Sequence, residues 1–557
     1  MADLIIENCR SWPSLTEGGA TDAIAIRDGR IVALGAEARA LRGASTRVLD
    51  AGGAWALPGL VESHIHIFSG GATLRAIDCS ACHDPGTLGA AIRAADRAQP
   101  GDFMLTGFAC RYHIVAGRNL TRHDLDAILP DRPLYLTAPD FHCAWVNTAA
   151  LRLAGILEGG DAGPGARVVM GKDGLATGEL VEFGAMTLVK RHGPTGGRED
   201  MGLRGDMPVT TPSAAERAHD RQLIRDSLDW CARNGLTSVV SMDGNDWQAE
   251  ILRELAEADE LPVRVSSPLV LTSRQGPEHV AQALPWGPGL QAETALGRRG
   301  DMLRFGRIKM FMDGVMDTYT GLLVDPYADR PDERGAPLFP PDLFAALCTE
   351  ADRLGLQISV HAVGDGAVRA TLDGFEAARR ANGARDARHR IEHIELLHPD
   401  DLPRMKDLGV TASMQPTHPP GLAGWPLEPM ISSIIGEARW PWAYPWRTVH
   451  EAGVPLAFST DWPVTPIDPL TAIHCALARQ PWGPGMPDQR LSLDDTLAAY
   501  STAGARAEFA EGRRGRIAIG MQADLTLLSG DLAALAEAPD AARVRATICD
   551  GTVVFEG

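Results

Sequence analysis

The chain has 557 residues, 45% of them hydrophobic and 22% charged, and carries a formal net charge of −19 at pH 7. This is ordinary globular usage and excludes a disordered, collagen-like or coiled-coil chain. So acidic a balance also argues against nucleic acid or an anionic membrane as partner, because both call for a basic face.

Met1 to Glu7 show no basic region followed by a long apolar stretch. No apolar run approaches the roughly 18 residues of a membrane span. The nine cysteines are odd in number, scattered and sparse. Together these features predict a cytoplasmic protein with reduced thiols. Only Lys172, Lys190, Lys309 and Lys406 are lysines, so a lysine inside an apolar strand stands out.

In chain order, Ala23-Ile24-Ala25-Ile26 and Ile31-Val32-Ala33-Leu34 flank Asp28-Gly29, a β-hairpin signal. Leu60 to Ile67 reads as a first core strand. Cys79-Ser80-Ala81-Cys82-His83 fits the spacing of c-type haem attachment, but such attachment goes with export, and loop thiols are the expectation. Ser69 to Asp206 is too long for one strand-to-helix step. It has its own β run, Pro133 to Thr137, and predicts an inserted subdomain over one end of the core.

Ser213 to Asn234 reads as an amphipathic helix stopped by Gly235. Further strands are predicted at Thr237–Ser241, Val263–Leu269, Arg307–Met312, Leu356–His361, Arg388–Ile394, Val410–Gln415 and Pro455–Thr460. Helical stretches such as Asp342 to Leu354 and Ala367 to Asn382 lie between them. Eight strands with intervening helices argue for an α/β chain built on a (β/α)8 TIM barrel. Near the end, Arg545 to Ile548 and Thr552 to Phe555 flank Asp550-Gly551, a second hairpin signal. The two terminal hairpins are expected to pair into one small composite β-sandwich. The predicted layout is residues 1–58 and 507–557 for the sandwich, 59–506 for the barrel and 69–206 for the insertion.

In such a barrel, chemistry sits at the C-terminal strand ends. The first strand ends in His64-Ile65-His66, and strand alternation puts both imidazoles on one face. The fourth carries Lys309, the fifth ends in His361, the sixth carries His393 and the eighth ends in Ser459-Thr460-Asp461. A lone strand histidine is usually a satisfied core or surface residue. The combined set is the usual nitrogen and oxygen donor set for Zn2+ or a similar divalent ion.

At these residues the chain resembles the amidohydrolase superfamily, within it the amidohydrolase-3 (YtcJ-like) branch that includes N-substituted formamide deformylases. The matching runs are Pro58 to His66, Lys309 to Gly314, His361 to Ala367, Arg390 to His393, Gln415-Pro416, Ser459 to Val464, and Gly515-Arg516-Ile517 through Gly520 to Ala523-Asp524-Leu525. Val146-Asn147-Thr148 and Asp173-Gly174 to Gly178 match within the insertion. The resemblance implies two divalent metal ions, with zinc the expected metal. His64, His66 and Asp461 would hold the more buried ion, His361 and His393 the second, and Lys309 would bridge both as an N6-carboxylated lysine. The simpler alternative for Lys309 is a buried ammonium paired with Asp313 or Asp317.

The resemblance further implies hydrolysis of a C–N bond by a metal-bound hydroxide, with Asp461 as the catalytic proton carrier. The substrate would be a small non-peptide amide, formamide or carbamate. Similar enzymes suggest a homodimer. Alternatives are a mononuclear deaminase, a cyclic-amide or lactone hydrolase, or a non-catalytic metabolite-binding regulator; the last should have lost ligands, and this chain keeps them. Substrate contacts are sought at Asp140, His142, His113 with Arg111, and His418. Trp440 to Trp446 reads either as packing or as an aromatic pocket wall. Pro419 to Trp425 stands where the branch would have a polar loop.

Overall fold

The computed structural model describes residues 1–139, 141–163, 166–286, 300–424 and 431–557. They divide into two compact units: Met1–Ile67, Leu203–Gly205 and Leu228–Gly557 form one, and Phe68–Gly202 with Asp206–Ser227 forms the other.

Eight parallel strands organise the first unit: β1 (Leu60–Ile65), β2 (Leu236–Ser241), β3 (Arg264–Ser266), β4 (Arg307–Phe311), β5 (Gln357–Ala362), β6 (Arg390–His393), β7 (Thr411–Met414) and β8 (Leu456–Phe458). They are buried almost throughout, which explains why they read as apolar runs and not as alternating ones. Helices Asp246–Glu257, Pro341–Arg353, Asp365–Asn382, Leu402–Asp407 and Trp446–Glu451 fall between successive strands.

The strands lie in two sheets and not in one continuous closed ladder. Leu303–Arg304, β3, β2 and β1 make a four-stranded sheet; Leu269–Val270 and β4 to β8 make a six-stranded one. The expected third strand is split at Ser267-Pro268, so Arg264–Ser266 belongs to the first sheet and Leu269–Val270 to the second. Proline has no N–H to give a ladder, which accounts for the break. Just beyond the ends of β1 and β8, His66 N–H donates to Trp462 O at 2.9 Å and Asp461 N–H to His64 O at 3.1 Å. These loop bonds link the first and last strands where the site residues stand.

The chain ends do meet, but not hairpin to hairpin. The first hairpin, Ala23–Arg27 with Arg30–Leu34, sits in a four-stranded sheet with Leu4–Glu7 and Arg47–Asp50. The last, Ala542–Cys549 with Thr552–Glu556, sits in a five-stranded sheet where Leu525–Gly530 pairs antiparallel with Trp55–Pro58. The two sheets share one apolar core that includes Ile6, Ile24, Ile31, Leu525 and Ile548. Both turns have consecutive positive φ angles, 51° and 70° at Asp28-Gly29 and 52° and 74° at Asp550-Gly551. That pair of left-handed residues is what a type I′ hairpin demands, and Asp-Gly supplies it at little cost.

The second unit carries a six-stranded mixed sheet in the order Arg167–Met170, Ala176–Val181, Cys143–Val146, Leu134–Thr137, Leu105–Phe108 and Ile77–Asp78. Sequence reading found only the Leu134–Thr137 strand. Cys79 and Cys82 are buried free thiols in one of its cores, and burial raises the pKa of both. Among the described residues, no helix is long and apolar enough to cross a membrane.

Candidate metal centre

Five imidazoles and a carboxylate converge at the ends of β1, β5, β6, β7 and β8. His64 Nε2 and His66 Nε2 lie 3.3 and 3.2 Å from the same oxygen, Oδ1 of Asp461. Alternation along β1 therefore does put both rings on one face. The His393 ring stands 4.7 Å from that of His64 and 4.5 Å from that of His361. His418 stacks on His393 at 5.7 Å, with Nε2 3.7 Å from Asp461 Oδ2. Among the described residues, two sets of donor atoms lie close enough to share an ion: His64, His66 and Asp461, and His393, His418 and Asp461. Both His393 and Asp461 hold left-handed backbone, φ 77° and 61°, a conformation that costs free energy outside glycine and marks sites where geometry is fixed by surroundings.

Outer partners orient the rings. His64 Nδ1 meets Glu392 Oε2 at 2.9 Å, His393 Nδ1 meets Gln415 Oε1 at 2.9 Å, and His418 Nδ1 meets Glu395 Oε1 at 3.1 Å. A carboxylate only accepts, so His64 and His418 donate from Nδ1. Gln415 spends its amide N–H on Ser459 Oγ at 2.8 Å, which leaves its oxygen to accept from His393. In the neutral rings Nε2 is then the lone-pair atom of all three. His361 is turned the other way: its Nε2 lies 3.0 Å from the carbonyl of Gly314, leaving Nδ1 as its lone-pair atom.

Burial pushes His64 well below its usual range, with the charge of Lys309 adding to the effect. Burial and the neighbouring His361 and His64 do the same to His393. Burial would raise Asp461, but the hydrogen bond and charge of His66 hold it below its usual range. Burial would lower His66, yet Asp243 and Asp461 outweigh that and raise it to about 9. A neutral His64 thus points a lone pair at a carboxylate oxygen 3.3 Å away. That arrangement is repulsive unless a cation stands between. His66 Nδ1, His418 Nε2, Lys309 Nζ and Asp461 Oδ1 are all buried without a hydrogen-bond partner. Buried polar atoms are normally satisfied, so this concentration of orphans fits a divalent ion held by the donors present.

Lys309 is fully buried, with Nζ 4.7 Å from the centre of the Phe311 ring. Burial lowers its pKa to about 8, against the pull of Glu392 and Asp461. Its Nζ makes no hydrogen bond to Asp313 or Asp317. The Asp313 carboxylate is instead held by the N–H groups of Leu322, Val363 and Gly364 at 2.8, 3.0 and 3.0 Å. Burial still raises that carboxyl to about 7.

The sought substrate contacts divide. His418 lies inside the centre. Asp140 lies outside the described residues, as does Trp425. His142 and His113 belong to the second unit, where His142 Nδ1 pairs with Glu182 at 3.0 Å and His113 is exposed. Arg111 there donates to Ser80 O at 3.1 Å. In the Trp/Pro-rich stretch, Trp446 is core packing with no exposure, whereas Tyr444 donates its hydroxyl to Glu395 Oε2 at 3.1 Å. Sequence reading missed Asp243, Glu392 and Glu395. Asp243 stands just past β2, where strand-end reasoning applied to every strand would have found it. Arg390 and Glu392 alternate in a buried strand, and two charges there are themselves a signal.

A family model described as the amidohydrolase family matches residues 47–555. The protein LONG AFTER FAR-RED 3 of Arabidopsis thaliana is 27% identical over 95% of this chain and 87% of its own length. An N-substituted formamide deformylase of Arthrobacter pascens is 26% identical over 95% of this chain and 94% of its own. The crystal structure of an uncharacterized metal-dependent hydrolase from Pyrococcus furiosus is similar at TM-score 0.71 and 26% identity, covering 95% of this chain and 99% of that one.

Proposed function

The chain belongs to the amidohydrolase family, and from that premise we propose that it is a metal-dependent hydrolase cleaving the C–N bond of a small non-peptide amide, formamide or carbamate. The observation that carries this reading is the pair of inward-facing acceptors, His64 Nε2 and Asp461 Oδ1, 3.3 Å apart in a buried site. The formamide deformylase relative supports the substrate class.

In this reading the two parallel sheets are arcs of one (β/α)8 barrel, the terminal sheets form a β-sandwich, and the second unit is the insertion. His64, His66 and Asp461 would hold one ion and His361 and His393 a second, with zinc as the metal, and Lys309, once carboxylated by CO2, would supply a further anionic ligand. The orphaned Nζ supports the last point, because a carbamate is anionic and can ligate where an ammonium cannot. When bound, the ions polarise the carbonyl oxygen and lower the pKa of water at the site. Asp461, held ionised beside His66, would take a proton at a carboxylate oxygen and return it to the departing nitrogen. The buried walls of β1, β4 and β6 keep bulk water from the reacting groups. A cytoplasmic homodimer is proposed on the resemblance alone.

The test is metal content per chain on protein purified without chelator, beside turnover of formamides, amides and carbamates. About two ions, with loss of metal and turnover in Lys309→Ala, supports the reading. About one ion, unchanged in that variant, favours a mononuclear deaminase. No uptake of Zn2+ in the presence of bicarbonate overturns it.

A further inference from the structure

We infer that His418 is itself a ligand of the second ion, alongside His393 and Asp461, and that Glu395, anchored by Tyr444, is the residue that positions it. The inference rests on the metal-dependent reading above and goes beyond the strand-end donor set.

The ring is fixed from behind. Glu395 lies two residues past the end of β6, and its Oε1 accepts from His418 Nδ1 at 3.1 Å. Its Oε2 accepts from the Tyr444 hydroxyl at 3.1 Å, and its backbone carbonyl accepts from Tyr444 N–H at 2.8 Å. His418 N–H donates to Gln415 O at 3.1 Å, so the backbone is pinned too. A carboxylate that receives Nδ1–H fixes the tautomer, and Nε2 is left as the lone-pair atom. This carboxylate–histidine arrangement is the one that orients metal-bound imidazoles in general. It repeats at His418 what Glu392 does at His64.

The ring is aimed at the site. The His418 side chain is 10% exposed, and its Nε2 is buried without a hydrogen-bond partner. That atom lies 3.7 Å from Asp461 Oδ2, too far for a hydrogen bond and suitable for two ligands of one cation. His393 borders the same space, with its Nδ1 3.9 Å from Asp461 Oδ2. The donor atoms of His393, His418 and Asp461 lie within 4.8 Å of one another. Among the described residues His361 enters no such set, and its Nε2 is turned to Gly314. A His418 that only lined a pocket would leave this Nε2 buried with no partner, where buried polar atoms are normally satisfied.

The experiment loads the full-length protein with Co2+ and bicarbonate. It then follows Co2+ per chain against graded chelator, together with the visible Co2+ spectrum. In His418→Ala one of the two ions is expected to be held at least about tenfold more weakly, with a change in the visible bands, while the other stays. Glu395→Gln, which keeps the shape, should weaken the same ion by less and carries the test if His418→Ala does not fold. Retention of both ions with the parent affinity and spectrum in His418→Ala overturns the inference, including where only KM rises. In that case the hydrolase reading stands. Failure of the parent itself to take up Co2+ overturns both.

Discussion

Glu392 and His64 are joined by a 2.9 Å hydrogen bond across β6 and β1, and both side chains are essentially without solvent exposure. Behind them Arg390 grips both oxygens of Glu392, Nε to Oε1 at 2.9 Å and Nη2 to Oε2 at 3.0 Å. The guanidinium also reaches Ser413 Oγ at 2.9 Å and Ser63 O at 2.5 Å. Burial would raise the Glu392 carboxyl, but Arg390 and Lys309 hold it below its usual range. The site therefore stands on a dry ion pair. Glu392→Ala should lower stability by about 3 kcal/mol, because it strands a buried guanidinium, and should weaken metal binding 10- to 100-fold. Glu392→Gln should spare most of the stability and lose metal affinity. Urea unfolding of the metal-free protein and chelator competition separate the two effects.

Lys309 offers an opposite sign. Its Nζ is buried with no hydrogen-bond partner, so in metal-free protein the amine costs stability. Lys309→Met replaces it with an apolar chain of similar length. The metal-free variant is expected to be more stable than the parent by about 1–3 kcal/mol, the range in which buried charge gives way to apolar packing. Metal-loaded parent should nonetheless exceed metal-loaded variant, since bound metal stabilises only what can bind it. Thermal melts with and without Zn2+ check the crossing. A variant less stable in both states would make Lys309 a structural residue.

Acid sensitivity should concentrate at Asp352, on helix Pro341–Arg353. Its carboxylate meets Arg385 Nε at 2.5 Å, Asn382 Nδ2 at 2.9 Å and His389 Nε2 at 3.3 Å. Burial would raise it, but His389, Asn382 and Arg385 outweigh that and bring it from 3.8 to about 2. A carboxyl lowered on folding stabilises above its unfolded value and loses that contribution as pH falls through its folded one. The gap in urea midpoint between parent and Asp352→Asn should thus be constant from neutrality to about pH 4. It should then close toward pH 2. A gap that persists unchanged at pH 2 would show that the contribution is packing and not charge.

What the sequence could show follows from distance along the chain. His64, His66, His361, His393 and Asp461 were legible because each sits at the end of its own apolar run. The turns at Asp28-Gly29 and Asp550-Gly551 were legible because turn chemistry is local. The sheets those hairpins join were not, since Leu525–Gly530 pairs with Trp55–Pro58 from the far end of the chain. The bond from His418 to Glu395 spans 23 residues and needs β6 beside β7. Arg264 finds Asp524 260 residues away at 2.7 Å. Such partners are set by sheet order and lie beyond any periodicity. The break at Pro268 was readable in principle, but the apolar run across it concealed it.

Asp461 is the place where holding the ion and moving the proton come apart. Its Oδ1 faces His64 and His66, and its Oδ2 lies toward His393 and His418 at 3.9 and 3.7 Å. Asp461→Asn keeps volume and one accepting oxygen but removes the basic one. If Asp461 carries the proton, kcat should fall by about 10²- to 10⁴-fold, the usual contribution of a general acid–base group. Metal content measured on the same sample should fall by less. The pH dependence should change as well. In the parent the low-pH limb reports the ionised carboxylate, so activity is lost as Asp461 takes up a proton. In the variant the contribution of Asp461 to that limb should vanish, leaving the acid loss set by protonation of the histidine ligands. A variant that loses metal and turnover in equal proportion would make Asp461 a ligand only, and another group would then have to serve the departing nitrogen.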